Sequence, residues 1–150
     1  MDFPKQASQV TSPSPQAAKE VRRNSPISQA RICYDHLAGV AGVTLMDAMM
    51  QRDWLEVSKE AKGRTHFHLT PAGQQALTDR GVDLLPARNT RRMYAYGCVD
   101  WTERRLHLGG ALGASILDAL RTAGVVQQQS GTRVATMLKP FACWLNGTLD

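Results

Sequence analysis

Two matching pairs in this 150-residue sequence carry the side chains of metal or thiol chemistry: Cys33 with His36, and Cys98 with His107. In "CYDH" the cysteine and histidine are three residues apart, a spacing that would place both on one face of a helix. In "CVDWTERRLH" the distance is longer, but each histidine is again preceded by Cys-x-Asp. A thiolate and an imidazole are ligands for a soft or borderline metal ion, and a thiolate is also a target for thiol-reactive effectors. Against that stands packing, because a free cysteine is often a small buried hydrophobe and a histidine at the end of an element often only satisfies backbone. Spacing assigns no third and fourth ligand to Cys33 and His36. A core role is therefore preferred for Cys33, with the ligand role kept beside it.

The run "DWTERR" joins an indole to two acidic and two basic groups. Asp100 and Arg104 have the i,i+4 spacing of a helical ion pair, and Thr102 has the type of a helix N-cap. One reading is a solvated, internally paired helix start. The other makes Asp100, Trp101, Arg104 and Arg105 part of a pocket or interface for an acidic group, since Trp and Arg concentrate at binding hot spots. Arg88, Arg91 and Arg92 in "LLPARNTRR" are candidates for phosphate contact, or simply an exposed charged linker. His66 and His68 share a strand face without a carboxylate or cysteine beside them in sequence and are read as incidental. No nucleophile with its base, phosphate-cradling glycine loop or paired-carboxylate site stands out, so an enzyme is not expected. A metal ion is the one candidate cofactor.

Composition narrows the partners. A net charge of +5 favours acidic ones, nucleic acid first. Three cysteines without framework spacing suggest a reducing compartment. Neither a signal-peptide pattern nor a membrane-length apolar run is visible, so a cytoplasmic protein without membrane contact is expected.

The elements that must position these residues are announced by a repeat. "HLAGVAGVTLMDAM" begins at His36 and "HLGGALGASILDAL" at His107. Each copy reads as a helix, a turn at Gly42 or Gly113, and a second helix opened by a capping box, Thr44 with Asp47 or Ser115 with Asp118. Hairpin signals follow, around Lys62 and Gly63 and around Ser130 and Gly131. Thr70 and Pro71 then open a further helix, and "LKPFACWL" holds the same place in the second copy. The expected fold is mainly α with small β-hairpins (α+β), as two tandem winged-helix-like units at residues 27–86 and 87–150 behind a disordered tail or linker at 1–26. The helices after the predicted turns offer Met, Leu and Ala where a DNA-reading helix needs polar side chains, which favours burial of those faces over insertion in a groove.

Together "ARICYDHLAGVAGVTLMDAM", "FHLTPAG" and "CVDWTERRLHLGGALGASILDAL" resemble the C-terminal half of a subgroup of bacterial ArsR-type helix-turn-helix transcriptional regulators, over roughly residues 27 to 145. The resemblance implies a transcriptional regulator, or its regulatory or dimerisation part, with DNA, a second copy of the chain and a metal or small-molecule effector as partners. In that subgroup a DNA-binding winged helix precedes this region. Its absence is expected here, so DNA binding is not carried over to any matched residue. ArsR-type regulators often sense metals through Cys and His at sites that vary within the family, which implies Cys33, His36, Cys98 and His107 as candidates. The alternative is a small-molecule or metal-sensing module without DNA contact, using the cleft between the units.

Overall fold

The computed structural model describes residues 25–61, 63–84 and 93–147. A single helical turn, α1 (Pro26–Gln29), leads into strands β1 (Arg31–Cys33) and β2 (His36–Ala38), helix α2 (Gly39–Gln51), strands β3 (Leu55–Ala61) and β4 (Arg64–Leu69), and helix α3 (Pro71–Asp79). The second half repeats the order with β5 (Tyr96–Val99), β6 (Leu106–Gly109), α4 (Gly110–Thr122), β7 (Val126–Gln128), β8 (Ala135–Met137) and α5 (Phe141–Leu145). The predicted tail, Lys62, and the basic run with Arg88, Arg91 and Arg92 lie outside the described residues, apart from Ser25 and Pro26 at the end of the tail.

The repeat is built differently from the expectation. Each copy is the second strand of a hairpin running directly into one thirteen-residue helix, with no first helix and no helix-turn-helix. Eight strands in three antiparallel sheets overturn the mainly-α, tandem winged-helix expectation, and the described fold is α+β with substantial sheet. The physical reason lies in runs too short to carry a period. "HLA" and "LHLG" fit a strand as well as a helix, and cross-strand pairing with "RIC" and "YGCV" decides for the strand. The switch from strand to helix falls at Gly39 and Gly110, at φ +79° and +85°. A Cβ at Gly39 would also come within 2.6 Å of the Ser28 carbonyl oxygen, so glycine is required there on both counts. Gly42 and Gly113 sit inside the helices, as do Thr44, Asp47, Ser115 and Asp118, and neither helix has a side-chain cap. The later signals fare better. Both hairpins form, and the Thr70 hydroxyl accepts from the Gly73 N–H at 2.9 Å with Pro71 in the first turn.

The two halves exchange strands. In the four-stranded sheet the order is β3-β4-β5-β6, so the wing hairpin of the first half pairs with the hairpin that carries Cys98 and His107. Reciprocally, β1 is bridged at Arg31 to Val134, beside β8. The Phe67 N–H donates to the Ala95 carbonyl at 3.0 Å, and the Ala135 N–H donates to the Ala30 carbonyl at the same distance. The helices cross over as well, α2 packing on β6 and α4 on β2. Each of these helices buries eight residues, including Met46 and Met49 in one and Leu117 and Leu120 in the other. A helix apolar on most sides belongs in the middle of a structure, and one continuous core runs through both halves. None of the described helices is long and apolar enough to cross a membrane.

Candidate functional site

The hairpins bring the four singled-out residues together. Cys33 lies directly opposite His36 across β1 and β2, and Cys98 directly opposite His107 across β5 and β6. Directly opposed residues project on the same face of a ladder, so each pair acts as one unit. In the first hairpin a two-residue turn closes the pair, with Tyr34 at φ 60°. The second holds the same register around a longer loop. Because each helix packs on the other half's histidine strand, the two pairs face one another, and one donor atom from each residue lies within 4.8 Å of all the others. The histidines are 2% and 1% exposed while Cys33 and Cys98 are half-buried, so the cluster is deep at its nitrogen end and accessible at its sulfur end.

Between the imidazoles the two Nε2 atoms are 3.1 Å apart, with ring centroids at 4.9 Å. The Nδ1 of His107 lies 3.0 Å from Oδ2 of Asp100, a residue with no exposed surface. Asp100 is itself held from both halves. It accepts from the Gly39 N–H at 2.6 Å, Arg31 Nη2 at 3.1 Å, the Thr102 hydroxyl at 2.7 Å, and the N–H groups of Thr102 and Glu103 at 3.0 and 3.1 Å. Burial alone would raise its pKa, but these donors and the Arg31 charge outweigh that and hold the carboxyl well below the usual carboxylate range. His107 is pushed down to about 4, first by burial and then by the neighbouring His36, against the pull of Asp100. At neutral pH its ring is uncharged. With Nδ1–H donating to Asp100, its Nε2 presents a lone pair to the cluster. Burial and the adjacent Cys33 push the Cys98 thiol up to about 11, so it stays protonated unless a positive charge arrives.

Of the residues singled out in "DWTERR", Asp100 reaches the histidines, and Thr102 holds Asp100 rather than capping a helix. The predicted helix start is a turn, and the partner of Asp100 is Arg31 rather than Arg104. Trp101 is exposed and stacks on the Arg31 guanidinium at 4.4 Å, Arg104 occupies the turn at φ 60°, and Arg105 pairs with Asp47 on α2. Arg31 and Gly39 were missed. The signal for Arg31 was a lone charge in "ARIC", and for Gly39 its recurrence as Gly110 in the second copy of the repeat.

Glycines set the spacing of the centre. A Cβ on Gly42 would overlap the Leu37 carbonyl and approach Cβ of His107 to 3.3 Å, and one on Gly113 would meet the Leu108 carbonyl and Cβ of His36 at 3.1 Å. The space between α2 and α4 next to the histidines is lined by Leu, Ile, Met and Gly, with room for no more than about one water molecule.

Comparison with known proteins supplies one further finding. The chain is 35% identical over 99 residues to the uncharacterized HTH-type transcriptional regulator YdfF of Bacillus subtilis (strain 168). It is similar to a transcription regulator. The aligned region covers 66% of this chain but 42% of that protein, so the chain spans less than half the length of its relative. No protein-family profile and no solved structure matches the chain.

Proposed function

We propose that this chain is the regulatory part of a helix-turn-helix transcriptional regulator of the ArsR type, acting by binding an effector between its halves rather than by reading DNA with its own helices. The observation that carries the reading is the 35% identity over 99 residues to a protein named as an HTH-type transcriptional regulator, and the ArsR type rests on the resemblance of the sequence motifs. Two features support a regulatory rather than a DNA-reading role. The faces of α2 and α4 that a recognition helix would present are buried in the shared core. The residues able to bind a ligand come from both halves, so occupancy would bias their relative arrangement, which is what a regulatory element requires. A second copy of the chain is the natural partner for such a regulator, and the net positive charge suits proximity to DNA.

Selection of genomic DNA fragments by the gene product that carries this chain, followed by affinity measurements across a salt series, tests the reading. The expected result is sequence-preferring binding whose affinity changes when residues of the central cluster are substituted. Absence of binding even at low salt, where electrostatic attraction is strongest, would overturn it in favour of a ligand-binding module without DNA contact.

A further inference from the structure

We propose that Cys33, His36, Cys98 and His107 bind one zinc-class ion in a closed, four-coordinate S2N2 site that pins the two halves of the chain together. This deepens the regulatory reading by naming its effector, and its consequence for DNA rests on that reading, although ion binding does not.

Donor chemistry sets the class of ion. Two thiolates and two imidazoles suit a borderline-soft d10 ion of tetrahedral preference, whereas Mg2+, Ca2+ and Mn2+ favour carboxylate and carbonyl oxygen. Size agrees. Ligands at the usual Zn–S and Zn–N lengths stand about 3.3–3.8 Å apart around a tetrahedral centre. The four donor atoms here already lie within 4.8 Å of one another, so small side-chain rotations close the set without moving a strand.

The groups behind the donors point the same way. His107 offers Nε2 because its Nδ1 faces a carboxylate that six donors, the imidazole included, hold in place. His36 repeats the arrangement more loosely, with its Nδ1 3.4 Å from Oδ1 of Asp35. With a carboxylate behind each ring, two Nε2 lone pairs confront each other across 3.1 Å, which is repulsive unless a proton or a cation lies between them. Carboxylate-backed histidine is a common way for a protein to fix the tautomer and orientation of a metal ligand. The thiols themselves are only half-buried, which fits poorly with a simple core role. Four protein donors leave no open position, which fits a structural or regulatory ion rather than one that activates water.

The test uses reduced, chelator-stripped protein titrated with Co2+ and then Zn2+. One Co2+ per chain is expected, with the strong visible absorption of a tetrahedral centre and a thiolate-to-cobalt charge-transfer band, both abolished by stoichiometric Zn2+. Cys33→Ser with Cys98→Ser should remove the band and stoichiometric binding, while Cys143→Ser, whose thiol lies outside the cluster, should change neither. Asp100→Asn should keep the tetrahedral spectrum but weaken affinity about 10–100-fold. Should the cysteine variants fail to fold, X-ray absorption of the zinc-loaded wild type decides by its sulfur and nitrogen count. Folded wild type that binds no Co2+, a bound ion without sulfur ligands, or stoichiometric binding in the folded double variant would each overturn the proposal and leave the regulatory reading with another effector. Zinc bound as described, with DNA affinity indifferent to its removal, would overturn the regulatory reading and leave the site.

Discussion

At the scale of single residues, the hinge of the site is Arg31, 2% exposed yet charged, and joined to the fully buried Asp100. A buried ion pair contributes little relative to an apolar one, but removing one partner leaves an uncompensated charge. Arg31→Met should therefore cost roughly 3–5 kcal/mol in denaturant unfolding. Trp101→Ala removes only an exposed stacking partner of the same guanidinium and should cost about 1 kcal/mol or less. Equal losses for the two substitutions would show that the pair is not what holds Arg31. These residues also mark how far the sequence could be read. Cys33 and His36 stand out by type and spacing, and their adjacency is real, although it arises across a hairpin rather than along a helix. Their partners could not be assigned, because Cys98 and His107 arrive through packing between segments 71 residues apart, which no local pattern encodes. Arg31 gave only the faint signal of one charge in an apolar stretch.

At the scale of elements, the repeated glycine carried two meanings, and the sequence could not choose between them. A glycine at the same place in two copies marks either a turn or a close approach, and Gly42 and Gly113 are the second kind. Replacing glycine by alanine in an exposed helix interior normally gains about 1 kcal/mol. Here the added Cβ would meet a backbone carbonyl that cannot swing aside and press towards the opposite histidine. Gly42→Ala and Gly113→Ala should each destabilise by roughly 1–3 kcal/mol. A raised thermal midpoint in either variant would contradict the close approach. The signals that were legible were those whose chemistry is complete within a few residues. Thr70 caps α3 and also donates to the Asp53 carbonyl, tying the helix start to the end of α2. Thr70→Ala should cost about 1–2 kcal/mol, measurable against Thr70→Ser, which keeps the hydroxyl.

At the scale of the whole molecule, the duplication is an exchange. The four-stranded sheet combines the wing of the first half with the hairpin of the second, a bridge from Arg31 to Val134 links the first hairpin to the second wing, and each central helix rests on the opposite histidine strand. Eight buried residues on a thirteen-residue helix leave only a narrow polar stripe, so α2 and α4 need cover on more than one side. A half-chain supplies part of that cover and is small enough that its own core would be marginal. Residues 1–86 and 87–150 made as separate polypeptides should therefore each lack a cooperative unfolding transition. Mixed, they should form a one-to-one complex with the circular dichroism of the intact chain, because the missing strands and helix faces are those the partner carries. An ion shared by Cys33 and His36 of one fragment and Cys98 and His107 of the other belongs only to the complex, so by mass action zinc should tighten association. Fragments with Cys33→Ser and Cys98→Ser should still associate but lose the zinc dependence. Cooperative folding of either half alone, with its helix content intact, would mean that the exchanged strands are ornaments on two self-sufficient units rather than the reason the sequence repeats.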